Sequence, residues 1–294
     1  MTLWVVSPML NDTPSFLLVR ERVVATCGAS GLAAPIRFVV VDDSAGSDRE
    51  VDQLRELGDV EVLTPPFNLG HQRAIVFGLR RIADAVAADD IVVTMDSDGE
   101  DQPSDVPRLL AAMTDRTALV VAERTERSES LSFRLMYLCF RVLFRILTGT
   151  AVRSGNFAAQ RGHSLATTIG HPSFDLCYSS TLLTLRRPMA KVPCARGTRF
   201  AGHSRMSRHS LIAHGIRMML PFSERIAVRM LVAAGLSFLA LVTMIALVVT
   251  DALGDAPGAG VLSIVIAIAA VMVVTLVSFV VLFAGYAQAA PRTP

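Results

Sequence analysis

Two charge-free apolar runs toward the C-terminal end constrain this 294-residue chain more than any other feature. Residues 230–250 are 21 consecutive positions without Asp, Glu, Lys or Arg, and residues 256–291 are uncharged as well, with 261–284 predominantly apolar. Crossing the hydrocarbon core of a bilayer takes about 20 helical residues, and a helix satisfies its own backbone there. Two transmembrane helices are therefore expected over 230–286, with a tail at 287–294. The loop between them holds Asp251 and Asp255 but no Lys or Arg, whereas Arg217, Arg225 and Arg229 precede the first run and Arg292 follows the second. Basic flanks mark the cytoplasmic side. Both chain ends, and everything before residue 230, are thus expected in the cytoplasm, in a multi-pass protein of the cytoplasmic (inner) membrane. Residues 3–6 are too short and lack the preceding basic region for a signal peptide, so no leader is expected.

The net charge of +2 hides a strong asymmetry. Residues 1–120 carry 10 Arg and 19 Asp or Glu, a net of −9, while 121–229 carry 16 Arg and Lys191 against 5 acids, a net of +12. Such a split suits an acidic, metal-holding half and a basic half that faces an anion or a membrane surface. No recognised nucleic-acid motif accompanies the basic half, so nucleic acid is not expected as a partner. Cys27, Cys139, Cys177 and Cys194 are widely spaced with no C-x-x-C pair, which argues against a zinc site or a disulfide framework and suits a reducing compartment.

Before the spans, short apolar runs alternate with helical patterns. Strands are expected at 3–6, 36–41, 60–63, 91–95 and 118–122. Helices are expected at 16–27, entered through Asn11-Asp12-Thr13-Pro14 with a capping side chain and an early proline, at 49–57, and from 68 to 87 with Asn68 as cap. A further helix at 131–147 has cationic positions at Arg134, Arg141 and Arg145 beside a broad apolar surface. That pattern reads either as a membrane-surface helix or as a core helix with a solvated edge. Ser154-Gly155-Asn156-Phe157 reads as a glycine-centred turn, and 182–192 with the Arg-dense 196–205 reads as loop. This alternation indicates βαβ units and a mostly parallel α/β sheet.

The chemistry concentrates in residues 91–103, where a buried-type strand runs into Asp96-Ser97-Asp98 and then Glu100-Asp101. In open α/β sheets ligands sit at the carboxyl ends of the strands. Two carboxylates this close repel each other unless a cation joins them, and Mg²⁺ or Mn²⁺ holding a substrate diphosphate is the natural choice. A solvated acidic turn is the alternative, because D-x-D by itself is a short motif. Asp42-Asp43-Ser44, ending the second strand, can accept hydrogen bonds from a base or a ribose hydroxyl, or can simply cap a turn. Gly70 permits a close backbone approach to a ligand.

In order along nearly the whole chain, these segments resemble a known family. Pro8…Asn11-Asp12, Val41-Asp42-Asp43-Ser44, Asn68-Leu69-Gly70-His71-Gln72, Met95-Asp96-Ser97-Asp98, Ser154-Gly155-Asn156-Phe157, the Arg199-x-x-Gly202-x-Ser204-Arg205 loop and the paired spans are similar to family 2 glycosyltransferases. Within that family the likeness is to polyprenyl-phosphate glycosyltransferases of the dolichyl-phosphate mannose synthase and bactoprenol glucosyltransferase type. The resemblance implies a Rossmann-like GT-A catalytic domain at 1–210, a juxtamembrane segment at 211–229 and the two spans. It implies an inverting, metal-assisted transfer of a sugar from a UDP- or GDP-linked donor to a polyprenyl phosphate at the cytoplasmic face of the membrane, in cell-envelope glycan synthesis. Transfer to a hydroxyl of a glycan or glycolipid is the rival, and a homo-oligomer is left open. By the same resemblance Pro8, Asn11, Asp42, Asp43, Asn68, Gly70, Gln72 and Asp96 would line the nucleotide sugar. Asp96, Asp98 and Glu100 would hold Mg²⁺ or Mn²⁺. Arg124, Arg134, Arg199, Ser204 and Arg205 would meet the acceptor and donor phosphates, with Asp96, Asp98, Arg124 and Arg205 central to catalysis. Asn156 stands where relatives often carry Asp, so no catalytic base is expected there.

Overall fold

The computed structural model describes residues 1–125, 131–201, 208–252 and 259–289. The chain divides into two compact units, Met1–Cys139 with Val152–Pro221, and Phe140–Ala151 with Phe222–Pro294.

The first unit is built on a seven-stranded sheet in the order β3-β2-β1-β4-β6-β5-β7. Its strands are β1 Leu3–Met9, β2 Ile36–Asp42, β3 Val60–Leu63, β4 Ile91–Thr94, β5 Leu119–Arg124, β6 Ser154–Arg161 and β7 Met189–Cys194. All pairings are parallel except the two made by β6. Every residue of β1 and β4 is buried, as expected of strands covered on both faces, which read as continuous apolar runs. One layer of the core joins Val5, Phe38, Val40 and Val93 to Phe16, Val19 and Val23 of α1 (Thr13–Ala29). The other joins Trp4, Val6, Val39 and Val92 to Ile75, Leu79 and Ile82 of α3 (His71–Ile82). Gly78 lets α3 lie close on the sheet: a Cβ there would stand 2.8 Å from Val41 and 2.9 Å from Val6.

Several expectations are corrected. The stretch 49–57 is helical only over Asp52–Arg55 (α2), because Leu54 is its one fully buried apolar anchor. The helix expected from 68 to 87 begins at His71 and ends at Ile82, with Gly70 at φ 77° as its cap. Asn68 turns its amide to the Asp43 carbonyl instead, at 2.8 Å. Asp12 occupies the cap position of α1 without a side-chain capping bond. Ser154–Phe157 is not a turn but the start of β6, and the loop read into 182–192 gives way to β7. β6 opens on Ser-Gly-Asn and β7 carries Lys191 and Pro193, so neither shows a clear strand periodicity; pairing against β4 and β5 decides them. Short helices α4 (Val106–Ala111), α6 (Gly162–Ile169) and α7 (Tyr178–Leu182) fill the connections, and α8 (Arg208–Met219) closes the unit.

Helix α5 (Leu131–Thr148) leaves Leu138, Val142 and Ile146 at 53%, 51% and 63% exposure while Phe144 is fully buried. That distribution favours the surface-seeking reading over a core helix. In the second unit, α9 (Ser223–Ala252) and α10 (Ala259–Ala289) pack against each other. The segments Leu211–Ala246 and Ile264–Val281 are long and apolar enough to cross a membrane, with mean hydropathies of 2.1 and 3.1, and only 6% of the 18-residue apolar stretch within each is buried. A core helix of a soluble protein would be mostly covered; Leu231, Met272 and Phe279 are instead 74%, 66% and 65% exposed.

Candidate active site

The strand order places the site. β2 and β3 add on one side of β1, and β4 adds on the other. Where the winding reverses, the connections at the carboxyl ends diverge and leave a crevice, the usual ligand position of an open α/β sheet. Asp42 and Asp43 leave the end of β2, and Asp96 and Asp98 leave the end of β4. Antiparallel β6 brings its first residues to the same rim, since Thr94 pairs with Ala158. Arg124 ends β5 opposite Cys194 of β7, so the loop after β7 arrives there too.

In the acidic segment Asp98 and Asp101 are buried and Asp96 and Glu100 partly so. Asp96 Oδ1 accepts from Asn156 Nδ2 at 2.8 Å and lies 3.3 Å from His71 Nε2. Burial alone would raise its carboxyl, but His71, Arg124 and the Asn156 amide outweigh burial and hold it below the usual carboxylate range. Asp98 contacts Arg199 at 2.6 Å and accepts from the Glu100 amide at 2.9 Å. Burial and then the Asp96 charge nevertheless push it up to about 6. Asp101 accepts from the Asp96 amide at 3.0 Å and stands 3.5 Å from Arg124. Burial and Asp96 push it up to about 7. Glu100 takes the Arg196 Nε at 3.0 Å. Arg124 lies over Gly155, whose Cβ would stand 3.3 Å from Nη2. Its burial is outweighed by Asp101, Asp96 and Glu100, which keep the guanidinium charged.

The two aspartates after β2 divide their work. Asp43 accepts from the amides of Leu69 and Gly70 at 2.5 and 2.8 Å, and so clamps the loop before α3. Burial raises its carboxyl more than those two amides lower it. Asp42 is fully buried; one oxygen accepts from the Ser44 amide at 3.1 Å, and its Oδ2 has no partner. Pro8 is buried within β1. Asn11 accepts from Ser47 at 2.9 Å and sits at φ 49°, a left-handed conformation uncommon outside glycine. Gln72, in the first turn of α3, is buried and accepts from Ser179 N at 3.0 Å and from the Cys177 thiol. Arg134 lies in α5 with its side chain outside the described residues, as are Ser204 and Arg205 altogether.

Three participants were not singled out from the sequence: His71, Asp101 and Arg196. His71 and Asp101 sit inside the Asn68–Gln72 and Asp96–Asp101 segments, but only the fold turns them onto Asp96. Arg196 was visible only as one arginine among many.

A divalent cation is implied by the resemblance, and the donor chemistry accommodates one. Asp96, Asp98 and Glu100 offer hard oxygen ligands, and each carboxylate is already met by cationic or N–H groups. The acids are nearly balanced by Arg124, Arg196 and Arg199, so adding an anionic diphosphate calls for further positive charge. Among the described residues no group of three His, Cys, Asp or Glu side chains is arranged to hold a metal ion, and Arg199 contacts both Asp98 and Glu100.

An acidic cluster at the switch point of a mostly parallel α/β sheet is the arrangement of an enzyme that binds a nucleotide there. The glycosyl transferase family 2 model matches residues 5–174, and the chain belongs to that family. Among curated relatives it is 29% identical over 154 residues to undecaprenyl-phosphate 4-deoxy-4-formamido-L-arabinose transferase of Pectobacterium carotovorum subsp. carotovorum (strain PC1), covering 50% of this chain and 44% of that protein. It is 31% identical over 131 residues to the protein of the same name from Edwardsiella ictaluri (strain 93-146), covering 43% and 38%. The alignments thus span less than half of those relatives. Among solved structures, mannosyl-3-phosphoglycerate synthase from Rubrobacter xylanophilus shares the fold with a TM-score of 0.51 at 14% identity, over 76% of this chain and 74% of that one.

Proposed function

We propose that this enzyme transfers a sugar from a UDP- or GDP-linked donor to a polyprenyl phosphate, inverting the anomeric centre, from the cytoplasmic face of the inner membrane. The observation that carries this reading is the partly buried Asp96 and buried Asp98 at the sheet's switch point, with Arg124 held by the neighbouring Asp101, in a chain that also has two lipid-length apolar helices. The relatives named for undecaprenyl-phosphate sugar transfer support the acceptor class.

In this reading Asp42 Oδ2 is aimed at the nucleotide, since a buried carboxylate oxygen without a donor is costly until one arrives. Asp43, Asn68 and Gly70 shape the loop that faces it. Asp96, Asp98 and Glu100 would hold Mg²⁺ or Mn²⁺, which neutralises the departing nucleotide diphosphate when bound. Arg124 is kept charged and oriented by Asp101, ready for an acceptor phosphate. Asn156 cannot take a proton, and it steadies Asp96 instead. A phosphate monoester, with a second pKa near ~6, is already a nucleophile at neutral pH and needs no base. What remains for the protein is orientation and charge neutralisation. A hydroxyl acceptor, by contrast, would need deprotonation at this position.

The test is a donor screen with purified full-length enzyme, polyprenyl phosphate and radiolabelled nucleotide sugars. The expected product is an acid-labile lipid-linked sugar whose formation stops with Asp98→Asn or excess EDTA. An enzyme that glycosylates a saccharide hydroxyl and leaves polyprenyl phosphate untouched would overturn the assignment.

A further inference from the structure

The loop after β7 is zipped onto the acidic segment. Gly197 N donates to Glu100 O at 2.8 Å, and Phe200 N donates to Asp98 O at 2.9 Å. A Cβ at Gly197 would stand 2.7 Å from Gly99 O, so only glycine permits this approach. Two side chains follow the backbone in. Arg199 Nη2 lies 2.6 Å from Asp98 Oδ2 and its Nε 3.4 Å from Glu100 Oε1. Arg196 Nε lies 3.0 Å from Glu100 Oε2. One loop therefore sets arginines on two of the three carboxylates that the D-x-D-x-E pattern offers to a cation.

We propose that Arg196 and Arg199 compete with the divalent cation for Asp98 and Glu100, so that metal enters readily only with an anionic diphosphate that can receive the displaced guanidiniums. This rests on the metal-assisted reading above. A cation bound at about 2.1 Å needs the same oxygen lone pairs that the guanidiniums use. Displacing an arginine strands a half-buried charge unless another anion replaces the carboxylate. A nucleotide diphosphate supplies that anion. Metal and nucleotide then bind with positive coupling, which is necessarily reciprocal. The arrangement also makes a prediction of unusual sign: removing the arginines tightens metal binding by the protein alone while it weakens nucleotide binding.

The experiment is a Mn²⁺ titration of the full-length protein in detergent, read by the EPR signal of free Mn²⁺, with and without UDP or GDP. Wild type is expected to bind Mn²⁺ on the order of tenfold more tightly with its nucleotide present, the size of one charge-assisted contact. The Arg196→Gln/Arg199→Gln double variant is expected to bind Mn²⁺ alone about tenfold more tightly than wild type, with a smaller nucleotide increment. Arg199→Lys, which keeps the charge, should stay near wild type, and the single Arg196→Gln carries the test if the double variant does not fold. Nucleotide-enhanced binding in wild type, with the Gln variants no tighter than wild type toward Mn²⁺ alone, overturns the competition and leaves the proposed function standing. Absence of Mn²⁺ binding by wild type with either nucleotide overturns both.

Discussion

Which of the two adjacent aspartates reads the nucleotide can be settled by paired substitutions whose effects should separate cleanly. Asp43→Asn puts an NH₂ where a carboxylate oxygen now accepts from either Leu69 N or Gly70 N, so that one buried donor faces another. Loss of the charge by itself costs little, because burial already raises the Asp43 carboxyl despite those two amides. The penalty is the unsatisfied donor, about 1–3 kcal/mol. At about 2–4 °C per kcal/mol for a domain of this size, Tm should fall by about 2–12 °C. Asp42→Asn meets a different environment: Oδ1 keeps its bond from Ser44 N, and the amide replaces an oxygen that has no donor to lose. Tm should change by less than the Asp43 variant's, while nucleotide affinity falls about tenfold or more, the worth of a hydrogen bond to a charged group. Differential scanning fluorimetry and isothermal titration with UDP and GDP read the two quantities separately. An Asp43 variant of wild-type stability that no longer binds nucleotide, beside an Asp42 variant that binds normally, would refute the division of roles.

Four further outcomes are expected. Arg124→Ala removes a charge held by Asp101 and should lower transfer about 10–100-fold. Asn156→Ala loses only the bond to Asp96 and should cost less than tenfold, whereas Asn156→Asp sets a second carboxylate against Asp96 and should cost more, all read as kcat/KM. Asp98 and Asp101, raised to about 6 and about 7, favour the folded state in their protonated forms. Their contribution is complete below pH ~4, the unfolded value, and is lost as pH rises through 6 to 7. Wild type should therefore lose stability relative to Asp101→Asn between pH 5 and 8 in urea titrations, and a parallel pH dependence of the two would count against the raised carboxyls. Finally, with both spans crossing as proposed, a cysteine at position 254 in a background lacking the four native cysteines should react with an impermeant thiol reagent on intact cells. Labelling of a cysteine at either chain end instead would reverse the orientation.

Much of the framework is legible in the chain because it depends on near neighbours. Buried parallel strands must be continuously apolar, so β1, β4 and the greater part of β2 stand out. Lipid-length helices must be uncharged for some 20 residues, so α9 and α10 do as well. The D-x-D pair is visible because a strand end fixes where its carboxylates emerge. What tertiary structure alone decided is which groups meet. β6 and β7 exist because paired strands satisfy their backbones, not because their own periodicity demands it, and their arrival carries Asn156 and Arg196 to the rim. Asp42 and Asp43 are indistinguishable as letters, yet burial and two amide donors make one a clamp and leave the other an oxygen without a partner. Contacts across 60 to 96 positions of sequence, Asp96 with Asn156 and Glu100 with Arg196, follow from strand order and direction, which no local pattern encodes.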